Sequence, residues 1–283
     1  RSNIKINFMT IGVDLGATNI RAGLVHNGAI QMINQVALSD KDSLEKTLDQ
    51  LKTMISPLVQ PGVKGIGIGV PSVVDIEKGI VYNVVHIPSW ERVELKSILE
   101  TAFKVPVQVN NDVNCFAMGE LKYGNGKGYS SLVAIAMGTG TGSGIIVNNE
   151  LYAGVNCGAG EIGCMPYLDS DFEHYTSSLF FSKKHNTTAL AQYELAQKGD
   201  ANALKLWEEF GGHFGTLIKT VLYAYDPQII VLGGSLTKAY SFFEPAMKNK
   251  LEDFYFPESL KKLKIVPGTV NNIAILGASA LVS

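Results

Sequence analysis

The sequence predicts an α/β protein of two halves of similar build, facing each other across a cleft. Apolar runs of strand length alternate with segments of helical period along the chain. Two glycine turns of related kind, Asp14-Leu15-Gly16-Ala17-Thr18 and Gly138-Thr139-Gly140-Thr141-Gly142, each follow a strand-like run. The 283 residues are too many for one comfortable core and suit two domains.

The first half opens on the apolar strand Thr10 to Leu15, which runs into Gly16. A second strand, Arg21 to Val25, ends at Asn27-Gly28, and a third runs from Ala29 to Val36; Asn-Gly between apolar runs signals a hairpin. Asp42 or Ser43 caps a helix through Met54, with Leu44, Leu48, Leu51 and Ile55 at helical spacing. Gly65 to Val70 reads as a buried strand, Trp90 to Phe103 as a helix and Val105 to Val109 as a strand. The second half begins near Asn110. A helix follows Asp112, then strands Ser131 to Met137 and Ser143 to Val147, with a turn at Asn148-Asn149-Glu150. Ala189 to Tyr225 reads as helix broken near Gly199-Asp200. Asp226-Pro227 ends it, Ile229 to Leu232 is a strand, and Ile273 to Val282 is a helix entered through Asn271-Asn272. The expected domains are residues 1–109 with 272–283, and residues 110–271.

Composition narrows the function classes. Hydrophobic residues make up 46% and charged residues 18%, a globular balance. The net charge is -2, and Lys183-Lys184 and Lys261-Lys262-Lys264 are too sparse for a nucleic-acid footprint. No apolar run approaches the roughly 20 residues of a membrane span, and the first residues do not read as a signal peptide. Cys115, Cys157 and Cys164 lack paired spacing and read as reduced thiols of a cytoplasmic protein.

Several segments carry candidate chemistry. In Asp14-Leu15-Gly16-Ala17-Thr18-Asn19 the glycine lets backbone approach a ligand, Thr18 offers a hydroxyl, and Asp14 can hold Mg²⁺ through water. Taken alone the segment is first a hairpin turn, and second an anion cradle. Gly138 to Gly144 sets four glycines at alternating positions between three hydroxyls, which weakens a strand and suits phosphate oxygens. It lacks the Gly-Lys-Ser/Thr of a Walker loop. Asn110-Asn111-Asp112 stands before a helix: either an N-cap, or a general base whose anion the helix N-terminus favours, with Asn111 holding the substrate. Gly158-Ala159-Gly160-Glu161-Ile162-Gly163 is a turn, or a place where glycines clear room for Glu161 to reach a ligand. Glu173 alone passes for a surface acid at a helix start. Val231-Leu232-Gly233-Gly234-Ser235 is a strand-to-helix turn, or a place where a flat base lies on exposed backbone.

The order of these segments resembles the ROK family of sugar kinases and repressors, in the hexokinase–actin superfamily, from about Ile11 to Val282. Asp14 to Arg21 is similar to its first phosphate motif and Gly138 to Gly144 to its second; Gly65 to Pro71, with Asp75 after it, is similar to the strand between. Asn111-Asp112 matches the sugar-binding residue and catalytic aspartate. Gly158 to Gly163 resembles the signature segment and Glu173-His174-Tyr175-Thr176-Ser177 the later one, each with a sugar-binding glutamate. Gly233-Gly234 resembles the adenosine motif.

The resemblance implies a two-domain actin-like ATPase (ribonuclease H-like) fold and an ATP- and Mg²⁺-dependent kinase acting on a hexose or hexose derivative. It implies a homodimer, with Asp112 as general base and Asn111, Asp112, Glu161 and Glu173 on the sugar. Gly16, Ala17, Thr18, Asn19, Gly138, Thr139, Gly140, Thr141, Gly233 and Gly234 would hold the nucleotide. Three departures stand out. Cys164 occupies the usual His position, the zinc-binding cysteine cluster is missing so that no zinc is expected, and Ala17 replaces a common Gly. Two alternatives remain: a sugar-sensing regulator, which about ten residues before the first motif and the absence of a basic patch argue against, and a non-catalytic sugar-binding protein.

Overall fold

The computed structural model describes residues 9–16 and 18–282; Ala17, expected in the first phosphate turn, lies outside them. The chain divides into two units. The first takes the chain up to Gly128, the segment Leu151–Ala159 and the chain from Val270; the second takes Tyr129–Glu150 and Gly160–Thr269.

In the first unit β1 (Met9–Leu15) pairs antiparallel with β2 (Asn19–His26), and β2 with β3 (Ala29–Ala37). Asn27 and Gly28 both take positive φ, 51° and 76°, as a two-residue hairpin turn of primed type requires. Helix α1 (Leu44–Ile55) starts at Ser43, whose hydroxyl accepts the Lys46 N–H, and buries Thr47, Leu48, Leu51 and Ile55. β4 (Val63–Val70) runs parallel to β1.

A small meander of β5 (Val73–Asp75), β6 (Ile80–Tyr82) and β7 (Arg92–Val93) follows. The helix expected from Trp90 is shortened to α2 (Leu95–Phe103). The carbonyls of Trp90 and Glu91 accept the N–H groups of Val84 and Asn83, so those residues continue the ribbon of β6 and β7 instead of starting a helix. Trp90 is buried and its indole donates to Thr47 Oγ1 at 2.7 Å. β8 (Val107–Asn111) completes the sheet in the order β3-β2-β1-β4-β8, and α3 (Asp112–Tyr123) follows at once.

The C-terminal helix Ile273–Ser279 lies on β1, β4 and α3 with backbone against backbone. A Cβ on Gly12 would stand 1.9 Å from the Ile275 carbonyl oxygen, and one on Gly67 1.7 Å from that of Ala278. On the other side a Cβ on Gly277 would stand 1.7 Å from the Cys115 carbonyl oxygen, and one on Gly119 2.3 Å from that of Ile273. This packing moves the expected boundary at 109/110: α3 belongs with the first unit because its glycine-lined face is covered by the terminal helix.

The second unit repeats the pattern. β9 (Leu132–Met137) and β10 (Thr141–Val147) form a glycine-turn hairpin, edged by β11 (Glu150–Leu151). A short ribbon, β12 (Pro166–Tyr167) and β13 (Ser170–Asp171), leads into the single-turn helix α4 (Glu173–Thr176). Helices α5 (Ala189–Gln197) and α6 (Ala201–Tyr225) break at Gly199, as expected, with Asp200 capping α6. β14 (Ile229–Gly233) pairs parallel with β9. After α7 (Tyr240–Leu251) and α8 (Pro257–Lys262), β15 (Lys264–Pro267) closes the order β11-β10-β9-β14-β15. Trp207, Phe210, Phe214 and Phe243 fill the core between α6 and α7. Among the described residues no helix is long and apolar enough to cross a membrane.

Two stability predictions follow from the first unit. Gly67→Ala forces a methyl into the Ala278 carbonyl, and is expected to cost about 1–3 kcal/mol or more. A urea midpoint equal to wild type would show that the helix is not held against β4. Glu120 of α3 is fully buried; Oε2 accepts the Asn125 N–H at 2.8 Å, and Oε1 has no hydrogen-bond partner among the described residues. Burial raises its carboxyl above the ordinary 4.5, against the Asn125 bond. A raised folded value means its contribution is complete below the unfolded pKa and is lost as pH rises through the folded one. Glu120→Gln should therefore gain on wild type in urea unfolding as pH rises above the ordinary carboxylate value of 4.5. A difference that does not change with pH would mean that ionisation costs nothing there.

Candidate functional site

In the first unit the candidate residues collect at the C-terminal ends of parallel strands. Asp14 of β1 is in register with Gly69 of β4, and Gly69 with Asn110 of β8. Asp14 is paired with Arg21, directly opposite on β2; Arg21 Nε donates to Asp14 Oδ2 at 3.1 Å, and both guanidinium bonds fall on Oδ2. Oδ1 is left outside that pair, which fits a carboxylate holding a hydrated Mg²⁺. The turn after β1 is closed by the Gly16 N–H to the Asn19 carbonyl at 2.9 Å, with Thr18 exposed and Asn19 Nδ2 donating to Thr18 Oγ1 at 3.0 Å.

Asn111, not Asp112, is the N-cap of α3. Its Oδ1 accepts the N–H groups of Val113 at 2.8 Å and Asn114 at 3.2 Å. Its Nδ2 donates to the Ser72 carbonyl at 3.4 Å, which leaves the second amide hydrogen for a ligand. Asp112 is the first helical residue and half-buried. Gly69 makes room for it: a Cβ there would stand 3.2 Å from Asp112 Cα and 3.1 Å from Cys115 Sγ. Burial, followed by the charges of Asp112 and Asp14, holds the Cys115 thiol well above its usual range.

In the second unit the signature segment is laid on β10. Gly160, at φ 94°, and Gly163 would place Cβ atoms 2.2 Å from the Ser143 carbonyl oxygen and 2.0 Å from that of Thr141. Between them projects Glu161. Glu173 opens α4 and reaches into the glycine turn, where its Oε2 accepts the Thr141 N–H at 2.9 Å. A Cβ on Gly140 would stand 2.3 Å from that oxygen, so Gly140 admits the carboxylate. Packed chain around Glu161, then the Glu173 charge, raise its carboxyl above the ordinary value. Cys164 Sγ lies 3.9 Å from Glu161 Oε2; although the residue is exposed, the chain packed on its inner side and then the Glu161, Glu173 and Asp171 carboxylates raise its thiol. A thiol held protonated is a poor metal ligand. Among the described residues no group of three or more His, Cys, Asp or Glu side chains is arranged to hold a metal ion.

The segments of this unit expected to hold the nucleotide also meet. Gly234, at φ 87°, lies against β9, where a Cβ would stand 2.0 Å from the Met137 carbonyl oxygen. The nearest atom to a Cβ on Gly138 is Ser235 Oγ at 3.9 Å, so the turn stays open as a phosphate cradle must. The three hydroxyls of the turn differ in use. Thr141 Oγ1 donates to the Thr176 carbonyl at 2.9 Å and Ser143 Oγ to the Gly160 carbonyl at 2.8 Å, both buried, while Thr139 is exposed. Thr141 can therefore offer a phosphate little from its side chain.

Sequence reasoning overlooked Arg21 as the partner of Asp14, although counting back from the turn sets 14 opposite 21. It also overlooked Thr176, which had no visible pattern.

The fold is that of the actin-like ATPases, each unit a glycine-turn hairpin continued by a parallel strand. The chain belongs to the ROK family, whose sequence model matches residues 10–283. It is 29% identical to a glucokinase of Halalkalibacterium halodurans, over 95% of this chain and 91% of that one. It is 28% identical to a xylose repressor of Bacillus spizizenii, over 96% of this chain and 76% of that one. A ROK family glucokinase of Streptomyces griseus, solved with glucose and AMPPNP, superposes with a TM-score of 0.82 at 23% identity, covering 97% of this chain and 99% of that one.

The carboxylate pair gives a prediction that needs no substrate. Glu173→Gln removes the like charge beside Glu161 and should lower the Glu161 pKa toward 4.5. A carboxyl ¹³C titration that shows no downward movement would mean the two groups do not interact.

Proposed function

We propose that this chain is an ATP-dependent kinase that phosphorylates a hexose or hexose derivative on a primary hydroxyl. The observation that carries this reading is Asp112 at the start of α3, with the capping role taken by Asn111 and the backbone of Gly69 cleared beside it. Asp112 Oδ1 accepts the Val113 N–H at 2.9 Å, which fixes the carboxylate at the helix start, from where it accepts the hydroxyl proton as phosphoryl transfer proceeds. Asn111 offers its remaining amide hydrogen to the sugar. Glu161 and Glu173 accept hydrogen bonds from sugar hydroxyls.

The nucleotide assignment rests on the open Gly138 turn, the exposed Thr139 and the Gly233-Gly234 backbone. Mg²⁺, held through water by Asp14, would neutralise charge on the phosphate oxygens. Turnover of ATP against a panel of glucose, mannose, fructose, allose and N-acetylated hexosamines tests the reading. A second reading, a sugar-sensing regulator, is favoured by the xylose repressor's similarity over 96% of this chain. Sugar binding without turnover across the panel would select it.

Asp112→Asn is expected to lower kcat by about 10²–10⁴ while sugar binding persists. Near-normal turnover would remove Asp112 from the chemistry. Replacing Glu161 or Glu173 by Gln should raise the KM for sugar roughly 10-fold, about the worth of one charged hydrogen bond, and leave the KM for ATP unchanged. If Glu173→Gln alone behaves as wild type, its carboxylate serves Thr141 and not the sugar.

A further inference from the structure

A buried polar cluster stands directly behind the turn that carries Asp112. Asn110, Asn114 and Cys157 are 5%, 1% and 2% exposed. The Oδ1 of Asn110 accepts three donors: the Asn111 N–H at 2.8 Å, Asn114 Nδ2 at 3.0 Å and the Cys157 thiol at 3.1 Å. One carbonyl oxygen thus fixes the backbone of Asn111, the first turn of α3 and the segment Leu151–Ala159 together. That segment is held in its own loop by the Ala159 N–H to the Ala153 carbonyl at 3.1 Å. It packs into the first unit's core through Ala153 and Cys157, immediately before the chain passes at Gly160 into the other unit.

Cys157 sits at φ 58°, in the left-handed region. A side chain is disfavoured there and glycine would be relaxed. Such a conformation persists when the surroundings over-determine it; here the thiol donates to Asn110 Oδ1, its sulfur lies 3.7 Å from Asn114 Nδ2, and the side chain is packed in the first unit's core. A residue that served only to turn the chain would do so more easily as glycine.

We infer that Asn110 and Cys157 are positioning residues for Asp112. The Cys157 thiol latches the segment Leu151–Ala159 onto Asn110, and Asn110 sets the Asn111–Asp112 turn by holding the Asn111 N–H. Neither touches the reacting atoms. The inference rests on the reading of Asp112 as the catalytic base.

The test is a series at one position. Cys157→Gly removes the donor and relaxes the backbone, Cys157→Ala removes the donor and keeps the strain, and Cys157→Ser restores a donor. Each is compared with wild type and Asp112→Asn in kcat, KM for both substrates, thermal midpoint, and hydrogen exchange of the Asn111 amide. The glycine variant is expected to lose roughly 10-fold or more in kcat, the scale on which a displaced catalytic group costs rate. Its KM for ATP should be unchanged and its thermal midpoint equal to or above wild type, while its Asn111 amide exchanges faster. The serine variant should recover rate and protection together.

A purely structural cysteine gives the opposite pattern, with Cys157→Gly as active as wild type but less stable. If Asp112→Asn is inactive and Cys157→Gly turns over normally, the latch is overturned and the base reading stands. If Asp112→Asn turns over like wild type, the base reading falls and the inferred catalytic positioning falls with it. Asn111 exchange then separates the remaining structural contact: faster in Cys157→Gly but not in Cys157→Ser if the thiol holds the turn, equal in all if it does not.

Discussion

The contact on which the first unit depends is the approach of the C-terminal helix to the bare backbone of β1, β4 and α3. At Gly12, Gly67, Gly119 and Gly277 the separation leaves no space for a methyl group. Helix and sheet therefore pack closer than side chains would allow, and dispersion between backbones replaces the usual layer of interdigitated residues. Because α3 is seated against that helix on one side and follows β8 without a loop on the other, its first turn has little freedom. The placement of Asn111 and Asp112 is a result of this packing as much as of their own sequence.

The second unit solves a related problem with carboxylates. A glycine hairpin is a weak structure by itself, since glycine is entropically costly and offers no side chain to pack. Here Glu173 braces it by accepting the Thr141 N–H, and Thr176 braces it by taking the Thr141 hydroxyl on its carbonyl. Gly160 and Gly163 then bring the signature segment onto β10, so that Glu161 stands near the Glu173 charge, which makes Glu161 harder to ionise. The same glycines that leave a turn open for a ligand also admit the acids that steady it.

Much of this was legible in the sequence because it is written in local chemistry. Asn27-Gly28 announced its hairpin, Asp42-Ser43 a cap that the structure gives to Ser43, and Gly199-Asp200 the break between helices, each within a few residues of the structure it specifies. The candidate residues were legible as types at motif positions. What escaped is what depends on partners far along the chain. The ribbon at Trp90 and Glu91 is decided by Val84 and Asn83, and beyond them by a threonine in α1 that receives the indole. Alternating glycines read as phosphate donors hid that two of the three hydroxyls between them face inward. The allegiance of α3 to the first unit is set by glycines at 119 and 277, and no window of neighbouring residues contains both.

That last pair has a consequence for how the protein is made. The strands that bear Gly12 and Gly67 leave the ribosome long before the helix that covers them. Until residues 273–279 emerge, the central sheet of the first unit has one face without its cover, and its core is incomplete although nearly all of its strands exist. The second unit, continuous but for one excursion at Leu151–Ala159, has all of its own segments by Thr269. Order of synthesis and order of completion are therefore reversed: of the two units, the one begun first is completed second, and its glycine-lined face stays uncovered until residues 273–279 are made.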